Sequence, residues 1–272
     1  MKRIFALVLG LGLLAGCGAA ARGEPETTTA SHTKWPEPIP ALAPTNSDGR
    51  ERFPCVASLP EDDIYLYWIR GSRNRGRMVL FQEDQETVFD DWGYEKYNYP
   101  KLAYSDFDGD GKKEIAVITI VGSGTGILLT DLHILKVEKK YVPNVTEISY
   151  EEFTFTNEEA ASIIDNKLSC KQGTQPGTLE LTLDGKRHLI TLDKGETWRE
   201  DGGVSVEPHI EFMFEGEGIH INAGVSTFVE EVPWNTYIAD ITANATFDGK
   251  EFHITNIDFE PTQERKHERY TR

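Results

Sequence analysis

The chain is short of basic residues and of cysteine, and it lacks a second long apolar run. Its 272 residues hold 28 Lys and Arg against 45 Asp and Glu, a formal charge of −17. That balance argues against a nucleic-acid partner, which needs a basic footprint against phosphate. It argues equally against plain electrostatic docking on anionic lipid. Past residue 14 no apolar stretch reaches the ~20 residues of a membrane-spanning helix. With 3 cysteines and no CxxC pair, a paired-thiol redox centre has no basis in the sequence. The Gly-x-Ser-x-Gly turn and the His-Glu-x-x-His helix are absent too. No catalytic set is legible, and an enzyme is not the leading expectation.

What the chain does contain is one dense acidic loop. Asp106-Phe107-Asp108-Gly109-Asp110-Gly111-Lys112-Lys113-Glu114 packs four carboxylates into nine residues, with glycine at the sixth. Asp106, Asp108 and Asp110 alternate, so a tight loop can turn them inward. Gly111 permits the sharp turn that brings in the Lys112 carbonyl, and Glu114 can close the site. An oxygen-only set of this kind suits calcium. The alternative is a solvated acidic turn. Position twelve is Val117 and an apolar β-branched run follows Glu114, so the loop is not an EF-hand. Strand, calcium loop, strand is the expected order.

The run DFDGDGKKEIAV resembles the loops of FG-GAP and VCBS repeats, calcium loops held between β-strands. The resemblance implies Asp106, Asp108, Asp110 and Glu114 as ligands, with Lys112 through its backbone. It covers about a dozen residues, and a single copy does not imply a propeller. Gly122-Ser123-Gly124-Thr125-Gly126 with Leu132-His133-Ile134-Leu135 is similar to a pattern in uncharacterised Gram-positive surface lipoproteins. The Gly-rich run lacks the Lys-Ser/Thr ending of a nucleotide loop and reads as structural.

Location is legible at the start of the chain. Lys2 and Arg3 precede an apolar run from Ile4 to Leu14, and Leu14-Ala15-Gly16-Cys17 resembles the bacterial lipobox. Residues 1–16 then form a lipoprotein signal peptide. Cys17 becomes the acylated first mature residue, a stable membrane anchor on the extracytoplasmic face. Loss of Lys2 and Arg3 takes the charge to −19. The remaining cysteines, Cys55 and Cys170, face an oxidising exterior. A disulfide between them would close a long loop and add ~4–5 kcal/mol; two separate buried thiols are the alternative.

Residues 17–50 are rich in Ala, Thr, Pro and Glu and read as the acylated cysteine with a disordered tether. Residues 262–272 form a flexible tail. The domain between, 51–261, allows a division into lobes 51–150 and 151–261. Its fold class is α+β, mainly β: an antiparallel sheet with one packed helix and a strand-loop-strand calcium site. Thr156 and Glu159 make a capping box for a helix over Asn157–Leu168. Asp184-Gly185, Gly216-Glu217 and Asp248-Gly249 mark hairpins. The hairpin around Gly216 places Ile210, Phe212, Phe214, Ile219 and Ile221 on one face. His209, Glu211 and His220 share its polar side. A zinc site there is weaker than a solvated sheet face, because spacing specifies no third strong ligand.

The aromatic segment leading into the acidic loop is the candidate recognition surface, through Trp92, Tyr94, Tyr97 and Tyr99. The alternative is that these rings pack over the sheet. The functional expectation is a membrane-anchored lipoprotein with a calcium-stabilised β-rich domain. Its partners are membrane lipid and an envelope protein or glycan. An envelope-polymer hydrolase and an accessory subunit of an envelope complex are the alternatives.

Overall fold

The computed structural model describes residues 54–69, 77–83, 85–92, 99–124, 127–143, 145–192, 197–199, 203–230 and 235–261. Cys17, the signal peptide, the tether, the tail, Gly71–Gly76, Tyr94 and Tyr97 lie outside these. Among the described residues, no helix is long and apolar enough to cross a membrane.

The described residues form four antiparallel sheets, each a meander of consecutive strands. The expectation of one sheet with a helix is thus correct in class, but the division into four sheets is new. β1 (Cys55–Leu59), β2 (Ile64–Ile69), β3 (Arg77–Gln82) and β4 (Gln85–Phe89) make the first. β5 (Lys101–Ser105), β6 (Glu114–Gly124), β7 (Ile127–Val142) and β8 (Val145–Phe155) make the second. The lobe boundary expected at residue 150 falls inside β8. Helix α1 (Asn157–Asp165) follows. β9 (Leu168–Gln172), β10 (Thr178–Leu183) and β11 (Lys186–Thr191) form the third sheet, with β10 central. The fourth holds β12 (Val204–Glu215), β13 (Gly218–Phe228), β14 (Asn235–Phe247) and β15 (Phe252–Pro261).

The second sheet is buried on both faces, which explains the unbroken apolar run of β6. Ile115 and Val117 pack with Ile64, Leu66, Met78 and Leu80 of the first sheet. Their neighbours Ala116 and Ile118 turn the other way, onto a larger core shared with the third and fourth sheets. A strand buried on both sides needs apolar residues at every position, whereas one wet face would impose alternation. The first sheet is also pinned to the β8 edge. Gln85 accepts from Ile148 N–H at 2.9 Å through Oε1 and donates to the Thr146 carbonyl through Nε2.

Helix α1 begins where its capping box requires. Glu159 N–H donates to Thr156 Oγ1, and Thr156 N–H donates to Glu159 Oε2. Ala160 and Ile164 are fully buried against the larger core. The helix stops short of the expected Leu168, which instead pairs with Leu183 to open β9. The hairpin turns are local chemistry as well. Asp184 and Gly185 both take positive φ, 47° and 77°, the geometry that a two-residue hairpin demands.

Bulges interrupt several ladders; the one in β12 keeps its parity and the one in β15 changes it. β12 advances from Val206 to Ile210 while β13 moves only from Val225 to Ala223. Pro208, which has no N–H for the ladder, lies in that irregular stretch. On β15, Asn256 at φ 51° inserts one residue between Thr255 and Asp258. Ile254, Ile257 and Phe259 therefore all reach the core.

Candidate metal centre

The acidic loop joins β5 to β6, whose ladder closes at Ser105 opposite Glu114. Gly109 and Gly111 turn it with φ of 75° and 88°, values at which a Cβ is strained. The carboxylates hold the loop by capping its own N–H groups. Phe107 donates to Glu114 Oε2 at 2.8 Å and Asp110 to Asp108 Oδ1 at 3.0 Å. Gly111 donates to Asp106 Oδ2 at 3.0 Å and Lys112 to Asp110 Oδ1 at 2.8 Å.

Three of the four expected carboxylates converge. One oxygen each from Asp106, Asp108 and Glu114 lies within 4.8 Å of the others. Two oxygens bound to one ion at ~2.4 Å can be at most ~4.8 Å apart, so the spacing of this trio permits a shared ion. Asp110 is not one of the three; it sits exposed at the loop tip and caps Lys112. The group could hold a metal ion.

The loop is not simply a wet acidic turn. Glu114 is 2% exposed. Burial pushes its carboxyl up, the Phe107 N–H opposes this, and the charges of Asp108, Asp110 and Asp106 push further up. The Asp108 side chain is only 3% exposed and carries the Lys136 ammonium on Oδ2. That bond draws Asp108 below the usual carboxylate range and raises Lys136. A cation is thus already drawn to the cluster. The β14–β15 turn covers it: a Cβ built on Gly249 would stand 2.8 Å from Asp108 Oδ2 and 3.0 Å from Lys136 Nζ. Phe107 meets Phe214 of β12 with ring centroids 6.4 Å apart. The loop of the second sheet is therefore seated on the fourth.

The other expected sites fare differently. Trp92 does not belong to an exposed recognition surface. It is 4% exposed, stacked on Phe89 at 4.0 Å and lying 4.7 Å from the His133 ring. Its rings pack in the core while its N–H bonds Glu152, so both the apolar body and the polar tip are satisfied inside. Tyr99 is 51% exposed. Cys55 and Cys170 stand as two separate thiols rather than a disulfide. Cys55 donates to the Ala57 carbonyl within β1, and Cys170 lies on β9 opposite Leu181. Burial pushes both thiols up. His209, Glu211 and His220 take three different partners: Glu207 at 3.4 Å, Lys101 at 3.7 Å and Glu215 at 3.8 Å. They form no shared site.

One polar cluster was not foreseen. His133, 5% exposed on β7, lies 3.1 Å from Thr119 Oγ1 through Nε2 and 3.0 Å from Glu152 Oε1 through Nδ1. The Trp92 indole donates to the same Glu152 oxygen at 2.6 Å. Burial opposes the charge of Glu152, but the bonds from His133, Trp92 and Thr154 outweigh it and hold the carboxyl below its usual range. A single His inside Leu132–Leu135 was the only available signal, and the partners lie on three other segments. Lys136 was missed for the same reason.

A cleft of about 670 Å³ runs along α1, lined by Asp131, Glu158 and Asp165 among others. Burial pushes the Asp131 carboxyl up, against the bond it accepts from Asn157 N–H. No family model, curated protein or solved structure matches this chain.

Proposed function

We propose that this chain is a membrane-anchored extracytoplasmic lipoprotein whose β-rich domain binds one calcium ion in the Asp106–Glu114 loop. Its work is to bind an envelope protein or glycan, with the ion fastening the loop onto the fourth sheet. The convergence of Asp106, Asp108 and the buried Glu114 carries the metal reading. Like charges held this close repel strongly unless a cation offsets them. Oxygen donors alone favour calcium over softer metals, and magnesium is reluctant to shed its waters for such a set. The lipobox-like Leu14–Cys17 supports the address, and an acidic, soluble domain suits a calcium-rich exterior.

Calorimetry and thermal melts test the metal. Calcium is expected to raise the Tm of the wild-type domain, because a ligand of the folded state stabilises it by mass action. Asp108→Ala weakens that response, and magnesium substitutes poorly. Absence of binding and of a thermal shift at millimolar calcium removes the metal from this reading. Mass spectrometry of the mature N-terminus tests the anchor: an acylated Cys17 supports it, and an unmodified start elsewhere refutes it.

One observation favours the hydrolase alternative. Asp131, pushed up by burial, shares its cleft with the exposed Glu158, and carboxyls of unlike surroundings are what acid–base pairs use. Hydrolysis of an envelope polymer that is lost in Asp131→Asn would establish that reading over the binding one.

A further inference from the structure

We infer that Lys136 is a built-in rival of the metal ion: its ammonium holds Asp108 in the metal-free loop and yields that carboxylate when a divalent cation enters. Lys136 would then set how tightly the site binds. The inference rests on the calcium reading of the loop and adds a residue that no ligand motif contains.

Three observations place Lys136 in this role. Its ammonium bonds Oδ2 of Asp108, one of the three converging carboxylates. Both side chains are sheltered, at 25% and 3% exposure, so water screens the pair weakly. The contact is also walled in. Gly249 lies against both groups, so that a Cβ there would stand 2.8 Å from Asp108 Oδ2 and 3.0 Å from Lys136 Nζ, and the Phe247 ring centroid lies 5.9 Å from the ammonium. A divalent ion sharing Asp108 would face a unit positive charge a few ångströms away, a repulsion that remains appreciable near a protein surface. Entry of the ion therefore favours departure of the ammonium. The same ammonium keeps the loop closed without metal, because it offsets one of the crowded negative charges.

The test titrates calcium chloride into the metal-free wild-type protein and into Lys136→Gln, Lys136→Met and Lys140→Gln. Lys136→Met keeps the apolar stem, and Lys140→Gln removes the same charge from an exposed position further along β7. Both Lys136 variants are expected to bind calcium at least about tenfold more tightly than wild type and to melt at lower temperature in chelator. Lys140→Gln is expected to match wild type. Equal affinity in wild type and the Lys136 variants overturns the inference while leaving the calcium site standing. An equal gain in Lys140→Gln also overturns it, because bulk charge would then be the cause. Binding by the Lys136 variants with none by wild type supports the rivalry and refutes a resident ion in the natural chain. No binding by any of them overturns both readings. Amine acetylation of the wild-type protein gives a check free of mutation: calcium is expected to speed labelling of Lys136. An unchanged rate, under calcium that saturates the site, overturns the exchange.

Discussion

Glu114 and Asp108 belong to one loop and carry the same charge, yet their surroundings push them apart. Glu114 is buried among carboxylates and rises; Asp108 is held by Lys136 and falls. Environment rather than residue type decides which form is favoured. Asp248 is the clearest case outside the loop. His253 Nε2 donates to Oδ2 at 3.0 Å, and the Lys250 and Glu251 N–H groups donate to Oδ1. The His253 bond first, then the two backbone bonds, lower its carboxyl to about 2. A depressed carboxyl favours the folded state above its unfolded value of ~3.9. That contribution is lost as pH falls through about 2, and carbon NMR of the carboxyl is expected to place the midpoint there. His253→Ala should move it up toward the ordinary range; an unmoved midpoint would discount the His253 bond. His133→Ala probes the buried cluster. It leaves the buried Thr119 hydroxyl without its ring partner, while the exposed Glu152 keeps the Trp92 and Thr154 bonds, so denaturant unfolding is expected to lose about 1–3 kcal/mol. A loss within ~0.5 kcal/mol would put His133 among substitutions of no consequence.

Among the elements, α1 is the one whose start is written in four residues. Thr156 and Glu159 exchange bonds across the first turn, which satisfies N–H groups that no helical carbonyl can reach. Thr156→Ala is expected to cost ~1 kcal/mol, read as a lower denaturation midpoint at unchanged slope. A null effect would mean that burial of Ala160 and Ile164 alone holds the helix. The acidic loop obeys a different logic. Its strands are set by apolar content, but its seat depends on the β14–β15 turn more than a hundred residues later in the chain, where Gly249 admits Asp108 and Lys136. A turn chosen for hairpin geometry thus also serves as a wall of the acidic site.

At the scale of the molecule, the second sheet is the shared layer. One face meets the first sheet and the other meets a core built with the third and fourth. Covalent reinforcement is absent between Cys55 and Cys170, so stability comes from packing. Reductant is therefore expected to leave the Tm unchanged, and alkylation of the unfolded, unreduced protein should label both cysteines. A bridge closing that long loop would instead add ~4–5 kcal/mol and show as a clear fall in Tm on reduction.

The strands, the hairpin turns, the capping box and the acidic loop were legible in the chain because each rests on residues within a few positions of one another. Side-chain parity marks a strand, a Ser or Thr three residues before Glu marks a helix start, and alternating aspartates with a glycine mark a turned loop. The four-fold division of the sheets was not legible, since pairing alone does not say where one meander stops and the next begins. Nor were the burial of Trp92, its meeting with His133 and Glu152, the separation of the two cysteines, or the seat of Lys136 on Asp108. Each of these joins segments far apart in sequence. Their distances are set by strand pairing and by how the layers stack, and no local pattern records that. Composition and local spacing fix which groups are available to a cation and to a core. Which of them meet depends on pairing and packing: the β5–β6 ladder sets Glu114 beside Asp106 and Asp108 with Asp110 at the tip, and Lys136 and the β14–β15 turn come onto Asp108 from other segments.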